Sequence, residues 1–185
     1  MSLTRRTFMV SGALGGSAAL AGCGRNQLAT GAELDQKVAA SRAQLFDTVP
    51  GTRSLAERSA GMLIVPQIIK GGFILSGAYG EGALLVGDAV VDYISMAGAG
   101  VGFQIGAQNF SQALFFTTPE ALADFRQSDG WEIGVNAEVA VFDGGAGYGA
   151  STSTVLRPIY QVLYGQRGLI VGASLEGAKY NRLIR

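Results

Sequence analysis

The sequence predicts an α+β fold, in which an N-terminal helix precedes a strongly curled antiparallel β-sheet with a few short helices. The sheet is expected to be sandwich-like or nearly closed into a barrel. Before Gly61 apolar residues recur at helical spacing, whereas from Met62 onwards they alternate with period two between turn residues. Glycine supplies 28 of 185 residues, about twice its usual ~7%, and lies among β-branched residues, as in sheets with tight turns.

Three helices are expected. The first begins at Thr30 or Gly31, because four apolar residues then fall on one face: Leu34, Val38, Leu45 and Val49. A second, short helix is expected where Ser54 and Glu57 have the spacing of a capping box. The third begins at Thr118-Pro119-Glu120, which supplies a cap, a first-position proline and an acid in the first turn.

Ten segments have the alternation of strands: Met62–Val65, Gly72–Tyr79, Gly82–Val86, Val90–Met96, Gly100–Gln108, Ala113–Thr117, Trp131–Phe142, Ala150–Arg157, Ile159–Tyr164 and Leu169–Leu175. The stretch from Gly98 to Gln108 would present a face of glycine and glutamine. Bare backbone there implies close packing, either by a helix or second sheet or by an acyl chain or headgroup. The large aromatic residues are expected in the core: Phe115, Phe116, Phe125 and Trp131.

The first 22 residues read as an export signal that is removed. Arg5 and Arg6 give a basic start, and the apolar stretch from Phe8 to Ala21 is too short and too rich in glycine for a transmembrane helix. The arginine pair resembles a twin-arginine signal. Leu20-Ala21-Gly22-Cys23 resembles a bacterial lipobox, in which the cysteine is acylated and becomes the new N-terminus. The alternative is an ordinary secretory leader with an incidental cysteine.

On this interpretation, residues 23–31 are a lipidated linker and residues 32–185 form a single domain. The protein would be lipid-anchored on the periplasmic side of the cell envelope. Gly24 follows the cysteine, where an aspartate would retain a lipoprotein in the inner membrane, so the outer membrane is favoured. Several acyl chains on Cys23 would anchor the chain stably, whereas a single chain binds a membrane only marginally.

The composition excludes several classes of function. The chain has no histidine and only one cysteine, which removes Ser-His-Asp and Cys-His catalysis and histidine-based metal sites. We therefore expect no enzyme, no metal and no cofactor. Without Arg5 and Arg6, 12 basic residues face 14 acidic ones, so no general basic surface for nucleic acid is expected.

Five ordered blocks of sequence resemble the SYLF-domain family. The first runs from Pro66 through Lys70 and includes the glycines and hairpin residues of the signature: Gly71, Gly72, Tyr79, Gly80, Glu81 and Gly82. The others are Gly102–Gln108, Phe115–Thr117, Trp131–Gly134 and Gly168–Gly177. The resemblance covers roughly residues 45–185.

This resemblance implies binding to membrane lipids. Eukaryotic members of the family recognise phosphoinositides and some bind actin, whereas bacterial members are typically exported or lipidated without established enzymatic activity. Lipid binding in the family is credited to an N-terminal amphipathic segment and nearby basic residues, which correspond here to the helix around Leu34–Phe46 and to Lys70. That helix has only Lys37 and Arg42 as cations, which departs from a phosphoinositide site, and actin is not expected in a bacterial envelope.

Two groups of cations are candidates for a lipid-headgroup site. Lys70 precedes two glycines, so its ammonium group could meet a phosphate together with backbone N–H groups. The alternatives are an exposed lysine at a strand end or a hairpin ion pair with Glu81. Arg42, Arg53 and Arg58 could form a basic patch worth ~1 kcal/mol per charge at an anionic surface, or simply a solvated face.

The sequence thus predicts a non-catalytic, lipid-binding envelope lipoprotein whose partners are membrane phospholipids. The alternative is a structural envelope protein that contacts other proteins and uses lipid only as its anchor. That alternative predicts an exposed apolar patch on the folded domain, with no basic residues at its rim.

Overall fold

The computed structural model describes residues 30–72, 75–101, 106–133, 140–141, 157–168 and 177–184. The predictions for Arg5, Arg6 and Cys23 lie outside these residues, as do the strand expected over 169–175 and nearly all of the one over 150–157. Within the described ranges, no helix has both the length and the apolar character needed to cross a membrane.

The described chain forms one eight-stranded sheet and three helices. The helices are α1 (Gly31–Thr48), α2 (Thr52–Glu57) and α3 (Pro119–Gln127). The strands are β1 (Gly61–Gly72), β2 (Leu75–Val86), β3 (Ala89–Val101), β4 (Gly106–Phe116), β5 (Trp131–Glu132), β6 (Ala140–Val141), β7 (Ile159–Gly168) and β8 (Lys179–Leu183). Their order in the sheet is β5-β8-β3-β2-β1-β4-β7-β6, and only β6 and β7 pair in parallel.

A buried hydrogen bond demonstrates how strongly the sheet curls. Three strands separate β4 from β8, so the two would lie about 19 Å apart in a flat sheet. Nevertheless, the Gln112 amide on β4 donates to the Tyr180 hydroxyl on β8 at 2.7 Å, and both side chains are buried. The predicted fold class, a curled antiparallel sheet preceded by a helix, is confirmed.

Both faces of the sheet bury apolar residues. Side chains alternate along β1, so Leu63 and Val65 point to the inner face while Met62 and Ile64 point to the outer face. The inner face packs against α3 and includes the predicted core aromatics Phe116, Phe125 and Trp131, together with Tyr180. The outer face packs against α1 and α2 through Leu34, Val38, Leu45 and Leu55 and includes Phe115.

Local signals place two of the three helix starts correctly. Thr30 and Glu33 form a capping box at α1, and the Thr118 hydroxyl accepts from the Ala121 N–H at α3. The Ser54 cap is wrong, because α2 begins at Thr52 and the Ser54 hydroxyl donates to the Gly51 carbonyl. The buried Thr52 hydroxyl contacts carbonyls at the end of α1, which draws the second helix directly against the first.

The strands differ from the prediction in four respects. The segment expected as one strand over Trp131–Phe142 contributes two separate strands, β5 and β6, which lie at opposite edges of the sheet. β1 and β2 are each continuous where the sequence suggested interruptions, because a bulge between Ile64 and Gln67 accommodates Pro66 within β1. The stretch from Gly98 to Gln108 is divided between β3 and β4, with residues 102–105 outside the described part. β8 was not predicted at all.

Candidate anion-binding cleft

A cleft of about 300 Å³ opens between α1, α2 and the turn that joins β2 to β3. Two arginines line it, Arg42 from α1 and Arg53 from α2. Met62 and Leu85, which belong to the outer-face core, form part of its wall. The cleft is therefore a polar opening above an apolar floor.

The two guanidinium groups share one aromatic ring. The Cζ atom of Arg42 lies 5.4 Å from the centroid of the Phe46 ring, and that of Arg53 lies 4.8 Å from it. Arg42 and Phe46 are four residues apart on α1, the spacing that brings helical side chains together. Each cation is attracted to the ring. Phe46 thus holds two guanidinium groups at the cleft, where both can attract an anion.

One carboxylate already forms an ion pair with Arg42. Asp88, in the β2–β3 turn, lies with its Oδ1 2.8 Å from Nη1 of Arg42. The Asp88 side chain is almost fully exposed, so the ion pair is solvated and contributes little to stability. Glu57 also lines the cleft. An incoming anion therefore competes with a weakly held carboxylate for Arg42.

The structure brings together only part of the predicted set of cations. Arg42 and Arg53 line the cleft, whereas Arg58 follows α2 and its Nε donates to the Ser54 carbonyl. Lys37 is exposed on α1. Lys70 lies eight residues along β1 from Met62, a separation of about 26 Å, so it does not join the arginine site.

Lys70 also points to the other side of the sheet. Its partners across the ladder are Ala78 and Gln108, both buried on the inner face. Glu81 lies on the outer face, where its Oε1 accepts from the Tyr79 hydroxyl at 2.8 Å. The hairpin ion pair considered between Lys70 and Glu81 is therefore wrong, because the two side chains occupy opposite faces.

The glycines of the signature allow β2 to pass close to the bulge in β1. A Cβ atom on Gly80 would lie 2.7 Å from the Gln67 carbonyl oxygen, and one on Gly82 would collide with the Ile64 carbonyl oxygen. Gly71, near the end of β1, pairs with Gly77. These glycines thus have a packing role in this chain.

Beyond the helices, two neighbouring side chains on the outer face of the sheet are exposed. Ile69 on β1 and Tyr79 on β2 are direct cross-strand partners, and they are 57% and 49% exposed. We call this pair the uncovered strip. Its two side chains are the exposed apolar residues at this end of the sheet that bear on the structural alternative.

Other polar groups of the described part serve the fold. The Ser41 and Tyr164 hydroxyls lie 2.7 Å apart in the interior, where burial raises the pKa of Tyr164 to about 12 against the opposing effect of that hydrogen bond. Burial likewise raises the pKa of Tyr180. Among the residues that the structure describes, no cluster of acidic or cysteine side chains could hold a metal ion.

Sequence reasoning found the arginines but missed Phe46 and Asp88. The four-residue spacing of Arg42 and Phe46 was readable in the sequence, as was the Gly87-Asp88 turn signal. What could not be read was that the turn between β2 and β3 meets α1, since this contact joins segments about 45 residues apart.

Comparison with protein families gives one match. The family model described as Ysc84, the Las17-binding protein actin regulator, matches residues 97–182. The match supports the SYLF-domain family and spans the chain from the second half of β3 to β8. No curated protein matches the chain. The arginine cleft lies outside the matched residues, so its interpretation rests on its geometry.

Proposed function

We propose that this protein is a non-catalytic, lipid-binding lipoprotein of the cell envelope, whose arginine cleft binds the phosphate of a phospholipid headgroup. Cys23 would carry the lipid anchor on the periplasmic side, with the outer membrane favoured. The observation that carries the proposal is the pair of guanidinium groups held on the Phe46 ring. The SYLF-type match is consistent with lipid binding.

The chemistry of the cleft suits a phosphate diester. Guanidinium groups donate paired N–H bonds that match phosphate oxygens, and they are less strongly hydrated than the ammonium group of lysine. The volume of about 300 Å³ is at the lower end of small-molecule sites, which accommodates a headgroup but not an acyl chain. Met62 and Leu85 would contact the carbon atoms of the headgroup.

Weak binding is sufficient for this role. An acylated Cys23 would confine the domain to the membrane surface, where the local concentration of headgroups is high. A contact worth only ~1 kcal/mol per arginine would then be enough to orient the domain on the bilayer.

Vesicle flotation tests this proposal. Both cores consist of residues between Leu34 and Tyr180, so a chain that begins at Gly24 retains the whole described fold. We expect this chain to float with vesicles of anionic phospholipid, and more weakly at high salt because exposed charges are then screened. Arg53→Ala should weaken binding about fivefold, at ~1 kcal/mol per charge.

Lys70→Ala is the matched control, since it removes one cation at the other end of β1. It should leave binding unchanged. Failure to bind any phospholipid mixture at low salt, or a larger effect of Lys70→Ala than of Arg53→Ala, would contradict the proposal.

Acylation is tested separately on the full chain in a bacterial host. A labelled fatty acid should be incorporated, and Cys23→Ser should abolish the incorporation, because Cys23 is the only cysteine. Incorporation that persists in the variant, or a mature N-terminus elsewhere, would remove the anchor from the proposal.

A second candidate function is protein binding in the envelope, favoured by the exposure of Ile69 and Tyr79. The lipid would then serve only as the anchor. Crosslinking in intact cells discriminates the two: a partner captured from the wild type but not from Ile69→Ser would support protein binding, and flotation that depends on Arg53 would support the lipid site.

A further inference from the structure

The hairpin that forms one wall of the cleft carries three exposed valines. Val86 precedes the two-residue Gly87-Asp88 turn, and Val90 and Val91 follow it closely. Their exposed fractions are 39%, 36% and 37%. Single exposed apolar residues are ordinary, but a group of three at the tip of one hairpin is a feature that needs an explanation.

A bulge contributes to this arrangement. Leu84 pairs with Asp92 and Leu85 with Val90, which leaves Val91 as an additional residue on β3. A bulge bends its strand and re-aims the side chains around it. Both Val90 and Val91 are consequently exposed, although neighbours on a regular strand point to opposite faces.

The hairpin that carries the valines also forms part of the arginine cleft. Leu85, Gly87 and Asp88 of the same hairpin line the cleft, and Asp88 is joined to Arg42 at 2.8 Å. The surface therefore has an apolar tip beside a pair of cations. Asp88 brings one negative charge to the tip, which is paired with Arg42 in the lipid-free protein and opposes binding when a phosphate takes its place.

We propose that the β2–β3 hairpin tip inserts into the interfacial layer of a phospholipid bilayer, with Arg42 and Arg53 at the level of the phosphates. This inference rests on the proposed function and adds the orientation of the bound domain. The occupant is identified by complementarity: a bilayer presents anionic phosphates above apolar chains, in the same order as the arginines and the valines. Two-part membrane contacts of this kind combine electrostatic attraction with apolar burial.

The expected size of the effect follows from the exposed area. About a third of each valine remains to be buried, so each contributes about a third of the stabilisation that full burial of a valine would give. Loss of all three contacts should therefore weaken vesicle binding on the order of tenfold. Val→Thr changes at positions 86, 90 and 91 keep the β-branched shape and are expected to preserve the hairpin.

A single-site fluorophore tests insertion directly. The chain that begins at Gly24 contains no cysteine, so Val90→Cys can be labelled at one position with an environment-sensitive dye. With vesicles of phosphatidylglycerol, the label should gain fluorescence, and lipids with a quencher in the upper acyl chain should remove the gain. Ile69→Cys, exposed at the far end of β1, is the matched control and should stay in water.

The outcomes separate this inference from the proposed function. Flotation with a water-exposed label at Val90, or equal insertion at Ile69, would overturn the hairpin contact and leave the arginine site intact. Flotation that fails for every vesicle would overturn both. In support, the triple Val→Thr variant should bind vesicles on the order of tenfold more weakly while it still binds soluble glycerol phosphate as the parent does. If the tip instead pairs two copies of the chain, the parent dimerises without lipid and the variant does not, which would contradict the inference.

Discussion

The two ends of β1 and β2 differ in what covers their outer face. At one end α1 and α2 bury Met62, Ile64 and Leu85, and the arginines gather at the helix margin. At the other end the same two strands expose Ile69 and Tyr79. Side chains point outward at both ends, so an outward position alone does not decide which residues become core. The covering helices decide it.

The largest expected difference between the two ends is in stability. Leu45→Ala at the covered end should lower the free energy of unfolding by about 2–5 kcal/mol, because it leaves a cavity beneath α1. Ile69→Ala at the uncovered end should change it by less than about 0.5 kcal/mol. Urea unfolding measures both, and equal losses would mean that the uncovered strip is buried in solution.

Two glycines on β2 differ in the space around them, which allows the covered and the exposed end of the strand to be compared by the same substitution. Gly82→Ala should destabilise by about 1–3 kcal/mol, because the added methyl group meets the Ile64 backbone, which cannot rotate away. A Cβ atom at position 77 would have no neighbour within 4 Å, so Gly77→Ala should leave stability nearly unchanged. Thermal unfolding of the two variants distinguishes them, and a neutral Gly82→Ala would contradict the close approach of the strands.

Alkaline pH should destabilise the covered end through Tyr164. Burial raises its folded-state pKa to about 12, so the folded protein keeps the proton longer than the unfolded chain, whose tyrosine pKa is about 10. The resulting contribution to the free energy of unfolding is fully present below pH 10 and is lost as the pH rises towards 12. At pH 11 the free energy of unfolding should be lower by about 1.4 kcal/mol.

Urea unfolding at pH 8 and pH 11 measures that loss. Tyr164→Phe should reduce the difference between the two pH values. An unchanged difference in Tyr164→Phe would show that other groups cause the alkaline effect.

The smallest expected effect concerns Asp88. Asp88→Asn should leave stability within about 0.5 kcal/mol, since the ion pair is exposed. It should strengthen binding to anionic vesicles about two- to fivefold, because Arg42 is released and one negative charge is removed. Asp129→Asn, an exposed acid outside the cleft, is the control for net charge. Weaker binding by Asp88→Asn would mean that Asp88 positions Arg42 for the headgroup.

The sequence predicted the structure correctly where the interactions that determine it are local. The helix starts at Thr30 and Thr118 depend on hydrogen bonds within one turn, and the fold class depends on alternation within each strand. The prediction that Ser54 caps α2 was wrong because the Thr52 hydroxyl donates to carbonyls at the end of α1, a contact outside its own helix.

The candidate site was predictable only in part for the same reason. Arg42 and Arg53 were identified by charge, but their common contact with Phe46 depends on how α2 folds back on α1. Lys70 is close to them in sequence and distant in space, because an extended strand adds about 3.3 Å per residue. β8 was missed because its five residues carry two basic side chains and little apolar alternation.

The bulge around Pro66 shifts the alternation of side chains in β1 by one residue. Before it, odd-numbered residues such as Leu63 and Val65 face the interior, and after it even-numbered ones such as Ile68 do. A regular strand with the same residues and no bulge would keep one uniform alternation along its whole length. Ile69 would then turn inwards and Lys70 would stand on the outside, so a single backbone irregularity determines which of these neighbours meets water.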